Sequence, residues 1–145
     1  MFDELVRYKN HGHFFLKQTD HLSNACNAPT NKSGIYLVYA LQGGKINLIY
    51  IGRSGKMNND GTIFVRKAGL GGLKDRIVNG HQFGKIPRKK SWLNQILLEK
   101  IEALDIYWYA THDENTNDCP IEIEKILLSK YFNLYGTLPK WNKIG

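Results

Sequence analysis

The stretch that decides the fold is GIYLVYALQGGKINLIYIG, residues 34–52. Its first eight residues are rich in β-branched and aromatic side chains, which are typical of strands. The tetrapeptide QGGK at 42–45 has the composition of a tight turn, and a second apolar run follows at 46–52. The pattern therefore predicts a β-hairpin.

The flanking sequence predicts helices around this hairpin. Residues 2–15 have loosely helical apolar spacing and residues 19–33 form a polar connection, whereas residues 53–72 form a polar, glycine-rich and basic excursion. Beyond it we expect the following elements: a helix over 73–80, a basic turn at 87–90, a helix from Ser91 to about residue 103, a strand over 106–111 and a helix from Pro120 to near Gly136. This order predicts an α+β fold with a small, mainly antiparallel sheet of about three strands flanked by helices.

Composition indicates one compact domain. The chain has 145 residues, of which 42% are hydrophobic and 23% charged, and this excludes a mainly disordered chain. We expect residues 1–33 to be an N-terminal extension packed on a core of residues 34–145. No apolar run approaches the roughly 20 residues of a membrane span, and the amino terminus lacks the layout of an export signal. These features predict a cytoplasmic protein without a membrane partner.

The charge balance indicates a polyanionic partner. Lys and Arg number 20 against 13 Asp and Glu, which gives a formal net charge of +7. Basic side chains that meet phosphates release counterions and so favour binding to nucleic acid. Charge alone does not distinguish DNA from RNA or from an acidic membrane. The two cysteines, Cys26 and Cys119, lie in no C-x-x-C pair and are expected to be free thiols.

Glu124 is an acidic residue on the apolar face of the last predicted helix. At 3.6 residues per turn it falls near the middle of the apolar arc, which contains Ile123, Leu127, Leu128, Tyr131, Leu134 and Tyr135. Burial of a carboxylate is costly unless the group is protonated, paired or bound to a cation. The helix pattern leaves open whether Glu124 is a cation ligand or the partner of a buried arginine.

The tripeptides GIY at 34–36 and YIG at 50–52, followed by Arg76 and Glu124, resemble the pattern of the GIY-YIG nuclease family. In that family the two tripeptides lie on neighbouring strands, an arginine follows on the first helix, and a glutamate comes from a later helix. The closing PKWN, which ends at Asn142, is similar to the family's final proline and asparagine. The combination is specific, although either tripeptide alone would be a weak signal.

The resemblance implies a GIY-YIG-like fold and hydrolysis of DNA phosphodiester bonds with a single Mg²⁺ or Mn²⁺ ion. Glu124 would hold the metal ion and Arg76 would contact the phosphate. Tyr36 would orient or deprotonate the attacking water, and Tyr50 would hydrogen bond to the phosphate or the water. Both a restriction-type and a repair or structure-specific endonuclease fit this pattern.

His81 departs from the family's pattern. The family usually places a histidine or tyrosine four positions after the arginine, where this chain has Gly80. A bulge at residues 79–80 would bring His81 to the same point, where it would act as the general base or hold the water. Without the bulge it is an exposed loop histidine. Whether Tyr36 or His81 is the base stays open.

The basic excursion is long for this family, whose compact members pass almost directly from the YIG glycine to the helix. We expect basic side chains of the loop, the first helix and the basic turn to bind the DNA backbone, with Asn142 beside them: Arg53, Lys56, Arg66, Lys67, Lys74, Arg88, Lys89 and Lys90.

The alternative from another functional class is a non-catalytic nucleic-acid-binding module that retains the fold. The intact set of Tyr36, Tyr50, Arg76 and Glu124 favours the enzyme, because a retired site would be expected to lose at least one of them. An RNA substrate, the recognition sequence, and the choice between monomer and homodimer stay open.

Overall fold

The computed structural model describes residues 2–67 and 70–143. The strands are β1 (His11–Leu16), β2 (Gly34–Gln42), β3 (Lys45–Ser54), β4 (Lys56–Met57), β5 (Ile63–Phe64) and β6 (Ala103–Ala110). The helices are α1 (Leu22–Ala25), α2 (Gly72–Asn79), α3 (Arg88–Glu99) and α4 (Pro120–Tyr135). Short 3₁₀ turns cover Asp3–Leu5 and Lys140–Asn142. Among the described residues, no helix combines the length and apolar character needed to cross a membrane.

The main sheet is antiparallel, in the order β1-β6-β2-β3, and β4 and β5 form a separate small pair. The predicted α+β class and the hairpin are confirmed, but the main sheet has four strands in the described chain, not about three. The additional strand is β1, which pairs along β6 where we predicted helical spacing. Its Phe14 and Leu16 are buried while Phe15 points outward and is 52% exposed, so the segment alternates as a strand does.

Helices cover both faces of the main sheet. On one face α1, α2 and α3 bury Leu22, Leu73, Ile77, Trp92 and Ile96. On the other face α4 and the N-terminal residues bury Leu5, Tyr8, Ile123 and Leu127 against Ile35, Leu37 and Ile51. Burial of each large apolar side chain contributes about 1.5–3 kcal/mol. Residues 2–33 thus supply both an edge strand and part of the second core.

The structure corrects the start of α3. The segment predicted as a basic turn at 87–90 contains the first turn of this helix, which begins at Arg88 directly after Pro87 instead of at Ser91. Proline suits this place, because the first amide groups of a helix have no partner within the helix. The helix ends at Glu99, where Lys100 adopts the left-handed conformation with a φ of 59°. The predicted helices at 73–80 and from Pro120 are observed.

The basic excursion is anchored to the core. It contains the β4–β5 pair, and the Ser33 hydroxyl donates to the carbonyl oxygen of Phe64 at 2.9 Å. At its far end the amide of Gly72 donates to the carbonyl oxygen of Arg66. These contacts hold the loop beside the end of β3, where Arg53 and Ser54 lie.

Candidate active site at the edge of the sheet

The phenol rings of Tyr36 and Tyr50 meet over Gly52. Tyr36 is paired with Gly52 in the β2–β3 ladder, and Tyr50 lies two residues before Gly52, hence on the same face. The two ring centroids are 6.0 Å apart. A Cβ atom at position 52 would lie 2.4 Å from Cζ of Tyr36 and 2.6 Å from Cε2 of Tyr50. Glycine therefore leaves the space in which both rings fit.

The two phenols differ in their surroundings. Tyr36 is fully buried, and its hydroxyl group forms no hydrogen bond with a described residue. Tyr50 is half-buried, and its hydroxyl oxygen accepts a hydrogen bond from Nη2 of Arg88 at 3.2 Å. Burial raises the pKa of Tyr50 well above its ordinary value, and Tyr36 and Glu124 act in the same direction. Tyr50 is consequently a neutral donor at physiological pH.

Arg88 lies inside the protein, and this corrects the prediction that it binds the DNA backbone. Its residue exposure is 1%. Its Nε donates to Gln82 Oε1 at 3.1 Å, and its Nη1 donates to the carbonyl oxygen of Arg76 at 2.7 Å. The guanidinium carbon is 5.6 Å from the ring centroids of both Tyr36 and Tyr50. A side chain held in this way does not reach a phosphate on the protein surface.

Gly80 is closely packed against Arg88. A Cβ at position 80 would lie 2.0 Å from Arg88 Nη1 and 2.4 Å from the carbonyl oxygen of Arg76. The guanidinium group thus occupies the space that a larger side chain at position 80 would need. His81 follows as an exposed residue bridged to Pro87, and it forms no hydrogen bond with either phenol or with Glu124.

Glu124 reaches from α4 toward the end of β3. Its Oε1 lies 3.4 Å from Nε of Arg53, and the two side chains are 22% and 38% exposed. Burial raises the pKa of Glu124, while Arg53 and Arg76 oppose this effect. Because Glu124 lies at the rim of the apolar face, its carboxylate can pair with Arg53 and still contact solvent. Its second oxygen, Oε2, has no hydrogen-bond or ion-pair partner among the described residues and can accept another ligand.

Arg76 carries an unpaired guanidinium group on α2. It forms no side-chain hydrogen bond or ion pair with a described residue, whereas the neighbouring Asp75 binds Arg66. The charge of Arg76 acts on both Glu124 and Tyr50. The guanidinium group therefore lies within electrostatic range of one group on α4 and one on β3.

An open cavity of about 290 Å³ lies at this edge. Four basic side chains line it together with two apolar ones and a glycine: Arg53, Lys56, Arg66, Arg76, Phe64, Ile121 and Gly55. Arg53 connects the cavity to Glu124. The arrangement offers an anion a concave basic surface beside one carboxylate.

The remaining basic residues that were predicted to bind DNA lie outside this cavity. Lys67, Lys89 and Lys90 are exposed and do not line it. Lys74 is half-buried, and its charge acts on the thiol of Cys26, on the α1 side of the core. Of the cations that were predicted to contact phosphate, the cavity is lined only by Arg53, Lys56, Arg66 and Arg76 in the described part of the chain.

Asn142 has both of its amide atoms engaged by the protein. Its Oδ1 accepts from the amide of Ile51 at 3.0 Å, and its Nδ2 donates to the carbonyl oxygen of the same residue at 2.9 Å. The side chain therefore continues the hydrogen-bond ladder along the free edge of β3. In this conformation Asn142 stabilises the strand that carries Tyr50 and Arg53.

A metal ion at this site would depend on the substrate for part of its coordination. In residues 2–67 and 70–143, no group of three or more His, Cys, Asp or Glu side chains is placed to hold a metal ion. Mg²⁺ prefers oxygen ligands and keeps several waters. The free oxygen of Glu124 beside the basic cavity fits one protein ligand for an ion that a phosphate and waters also coordinate.

Comparison of the chain with models of known protein families, with curated protein sequences and with solved structures gives no match. The structure brings Tyr50, Arg53, Arg76 and Glu124 to one edge and joins Tyr36 to them through Tyr50. His81 makes none of these contacts.

Proposed function

We propose that this protein is a divalent-metal-dependent phosphodiester hydrolase that cleaves DNA internally with one Mg²⁺ or Mn²⁺ ion. The observation that carries the proposal is the partly exposed carboxylate of Glu124, which pairs with Arg53, while Arg53 and Arg76 both line a basic cavity. The resemblance of the motifs to the GIY-YIG nuclease family supports the same reaction.

The cavity would bind the scissile phosphate. Arg76 offers a planar fork of donors that matches two phosphate oxygens, and Lys56 adds a second cation. Tyr50 stays protonated and would donate a hydrogen bond to a phosphate oxygen. These donors would stabilise the negative charge that develops on the phosphate in the transition state.

Glu124 would hold the metal ion through Oε2 while Arg53 orients Oε1. A bound divalent ion would neutralise the phosphate and stabilise the leaving oxygen. The raised pKa of Glu124 means that its carboxylate protonates at a higher pH than an ordinary glutamate. Protonation removes the charged ligand, so we expect activity to fall on the acidic side.

The resemblance implies that Tyr36 orients or deprotonates the attacking water. Its hydroxyl is enclosed in the described conformation, so contact with water requires the site to open. Tyr50 is only half-buried, and its hydroxyl keeps a proton to donate because Arg88 donates to the oxygen. The proposal accordingly gives phosphate contact to Tyr50 and water orientation to Tyr36.

The test is cleavage of supercoiled plasmid with Mg²⁺ or Mn²⁺ by the wild type, by Glu124→Gln and by Glu122→Gln. Glu122 is the matched control, because it lies on the same helix with a side chain 67% exposed and pairs with Lys125. We expect wild type and Glu122→Gln to nick or cut the plasmid. Glu124→Gln should lose at least about 10²-fold in rate and still bind DNA. Equal cleavage by both variants would exclude Glu124 from the reaction.

A non-catalytic nucleic-acid-binding module is the second candidate, and the enclosed hydroxyl of Tyr36 favours it. DNA binding by wild type without cleavage in either metal would support this function instead. Parallel reactions with single-stranded and duplex RNA distinguish an RNA-directed enzyme from a DNA endonuclease.

A further inference from the structure

Arg88 is a buried cation without a carboxylate partner among the described residues. Its three hydrogen bonds go to uncharged oxygens, namely Gln82 Oε1, the carbonyl of Arg76 and the hydroxyl of Tyr50. Buried arginine side chains are normally paired with an anion, because transfer of the charge from water is costly. The rings of Tyr36, Tyr50 and Trp92, whose centroids lie 5.5–5.6 Å from its guanidinium carbon, attract the cation, but no anion among the described residues balances its charge.

Two of the three acceptors do not depend on Arg88. Gln82 Oε1 also accepts from Nε1 of Trp92 at 3.0 Å, and the carbonyl oxygen of Arg76 also accepts from the amide of Gly80 at 3.0 Å. The hydroxyl of Tyr50 has no other partner among the described residues. Of the three acceptors, only the Tyr50 hydroxyl therefore depends on Arg88 for its hydrogen bond.

We propose that Arg88 is a positioning residue, which acts through Tyr50 by holding the phenol oxygen so that the phenol's own proton points away from Arg88 and is left for a substrate phosphate. The inference rests on the proposed function. Since Nη2 of Arg88 donates to the oxygen, the hydroxyl proton must take another direction. The neighbouring hydroxyl of Tyr36 does not accept it.

The charge of Arg88 also acts on Tyr50. The groups whose charges act on this phenol are Tyr36 and Glu124, which raise its pKa, and Arg88 and Arg76, which lower it. A nearby cation makes a phenol a stronger hydrogen-bond donor, because it stabilises negative charge on the oxygen. Arg88 does this by donating to the phenol oxygen, so the proton of the hydroxyl is not used in this contact.

A double-mutant cycle on cleavage tests whether Arg88 acts through Tyr50. We expect Arg88→Lys and Tyr50→Phe each to lower the cleavage rate by about 10²-fold, and the double variant to be no slower than either single variant. Asn94→Ala, an exposed position on the same helix, is the control for changes in α3. The proposal would be overturned if Arg88→Lys lowered the cleavage rate equally in the wild-type and Tyr50→Phe backgrounds. It would also be overturned if Arg88→Lys did not lower the rate at all.

A second measurement needs no cleavage and separates this inference from the proposed function. A fluorinated tyrosine at position 50, whose phenol ionises at lower pH, reports its ionisation by ¹⁹F NMR. We expect Arg88→Met to lower the ionisation constant of that phenol by about tenfold, because a neighbouring cation is lost. An unchanged constant in a folded variant would contradict the contact even if the wild type cleaves DNA. If Arg88→Met changes the constant but the wild type does not cleave DNA, only the proposed hydrolase activity is contradicted.

Discussion

Tyr36 lies directly opposite Gly52 in the β2–β3 ladder, and the ring of Tyr50 fills the space above the same glycine. The absence of one side chain thus brings two phenols from neighbouring strands within 6.0 Å of each other. Gly52 has no positive φ, so the requirement for glycine at this position is steric and not conformational.

Replacement of Gly52 by alanine should disturb the site more than the fold. The new Cβ would lie far inside contact distance of both rings, so the phenols must move apart. We expect the free energy of unfolding to fall by about 1–3 kcal/mol, as for other overpacked cores. Cleavage should fall by more than this loss of stability explains. Chemical denaturation beside plasmid cleavage checks both effects, and wild-type values for both would show that the ring contact is not required.

Tyr36→Phe should stabilise the protein while it lowers activity. A buried hydroxyl without a partner costs about 1–3 kcal/mol, and phenylalanine removes that cost without loss of a hydrogen bond. We expect a gain of about 1 kcal/mol in the free energy of unfolding. Cleavage should fall, because the proposed water-orienting group is absent.

Tyr8→Phe is the matched control for this stability measurement. Tyr8 is equally buried, but its hydroxyl donates to Asp118 at 2.6 Å and accepts from Arg7 at 3.1 Å. Its removal should therefore destabilise the fold. A loss of stability in both variants would show that the Tyr36 hydroxyl has a partner in solution, and unchanged cleavage by Tyr36→Phe would exclude this residue from the reaction.

The elements predicted best from sequence are those whose signals are local. The hairpin at 34–52 combines strand-forming residues with a glycine turn, and α4 begins at a proline and ends before Gly136, which has a φ of 72°. In each case the residues that decide the element lie within it. The boundaries of the hairpin and of α4 could therefore be predicted without knowing which distant residues pack against them.

The strand β1 was missed because its pattern depends on β6. Gly12 packs against the ring of Trp108, and His13 stacks on Tyr107 with centroids 4.7 Å apart. The outward Phe15 adds an apolar residue on the exposed face. The sequence HGHFFL therefore shows no alternation of apolar and polar residues, although Phe14 and Leu16 are buried and Phe15 is exposed in the structure.

The burial of Arg88 had a sequence signal that competed with its charge. Arg88 and Trp92 are four residues apart, so on a helix they share a face, and Pro87 marks where that helix begins. The adjacent Lys89 and Lys90 instead favoured a solvated turn. The pairing of Glu124 with Arg53 had no local signal, because the two residues lie on α4 and β3 and only the packing of the helix on the sheet brings them together.

Arg76→Gln should weaken DNA binding in a salt-dependent manner. Each phosphate contact contributes about −0.9 to the slope of log affinity against log salt, so the loss of one contact should make the slope about 0.9 less steep. The measurement is best made in the Glu124→Gln background, where DNA stays intact. Lys125→Gln, exposed on α4 and paired with Glu122, should leave the slope unchanged. Equal slopes for the two variants would place Arg76 outside the phosphate site.

His112 should make the stability of the fold depend on pH near neutrality. Its Nε2 accepts from the amide of Ser33 at 2.9 Å, immediately before β2, which it can do only when that nitrogen is unprotonated. Burial lowers the pKa of His112, and Lys32 acts in the same direction while Asp113 opposes it. The unfolded chain therefore binds a proton more readily than the folded protein does.

The free energy of unfolding should consequently be highest above the unfolded pKa of 6.5 and fall as the pH decreases from there toward the lowered pKa of the folded state. His112→Gln retains an acceptor and does not titrate, so this fall should disappear. The lowered pKa values of Glu99 and Asp75 affect stability mainly near and below 4.5 and 3.8, and the raised pKa of Glu124, which has the opposite effect on stability, is present in both proteins and leaves their difference unchanged. Urea denaturation between pH 7 and pH 5 measures the difference, with the exposed His21→Gln as control. Parallel curves for wild type and His112→Gln would mean that the bond to Ser33 does not control this dependence.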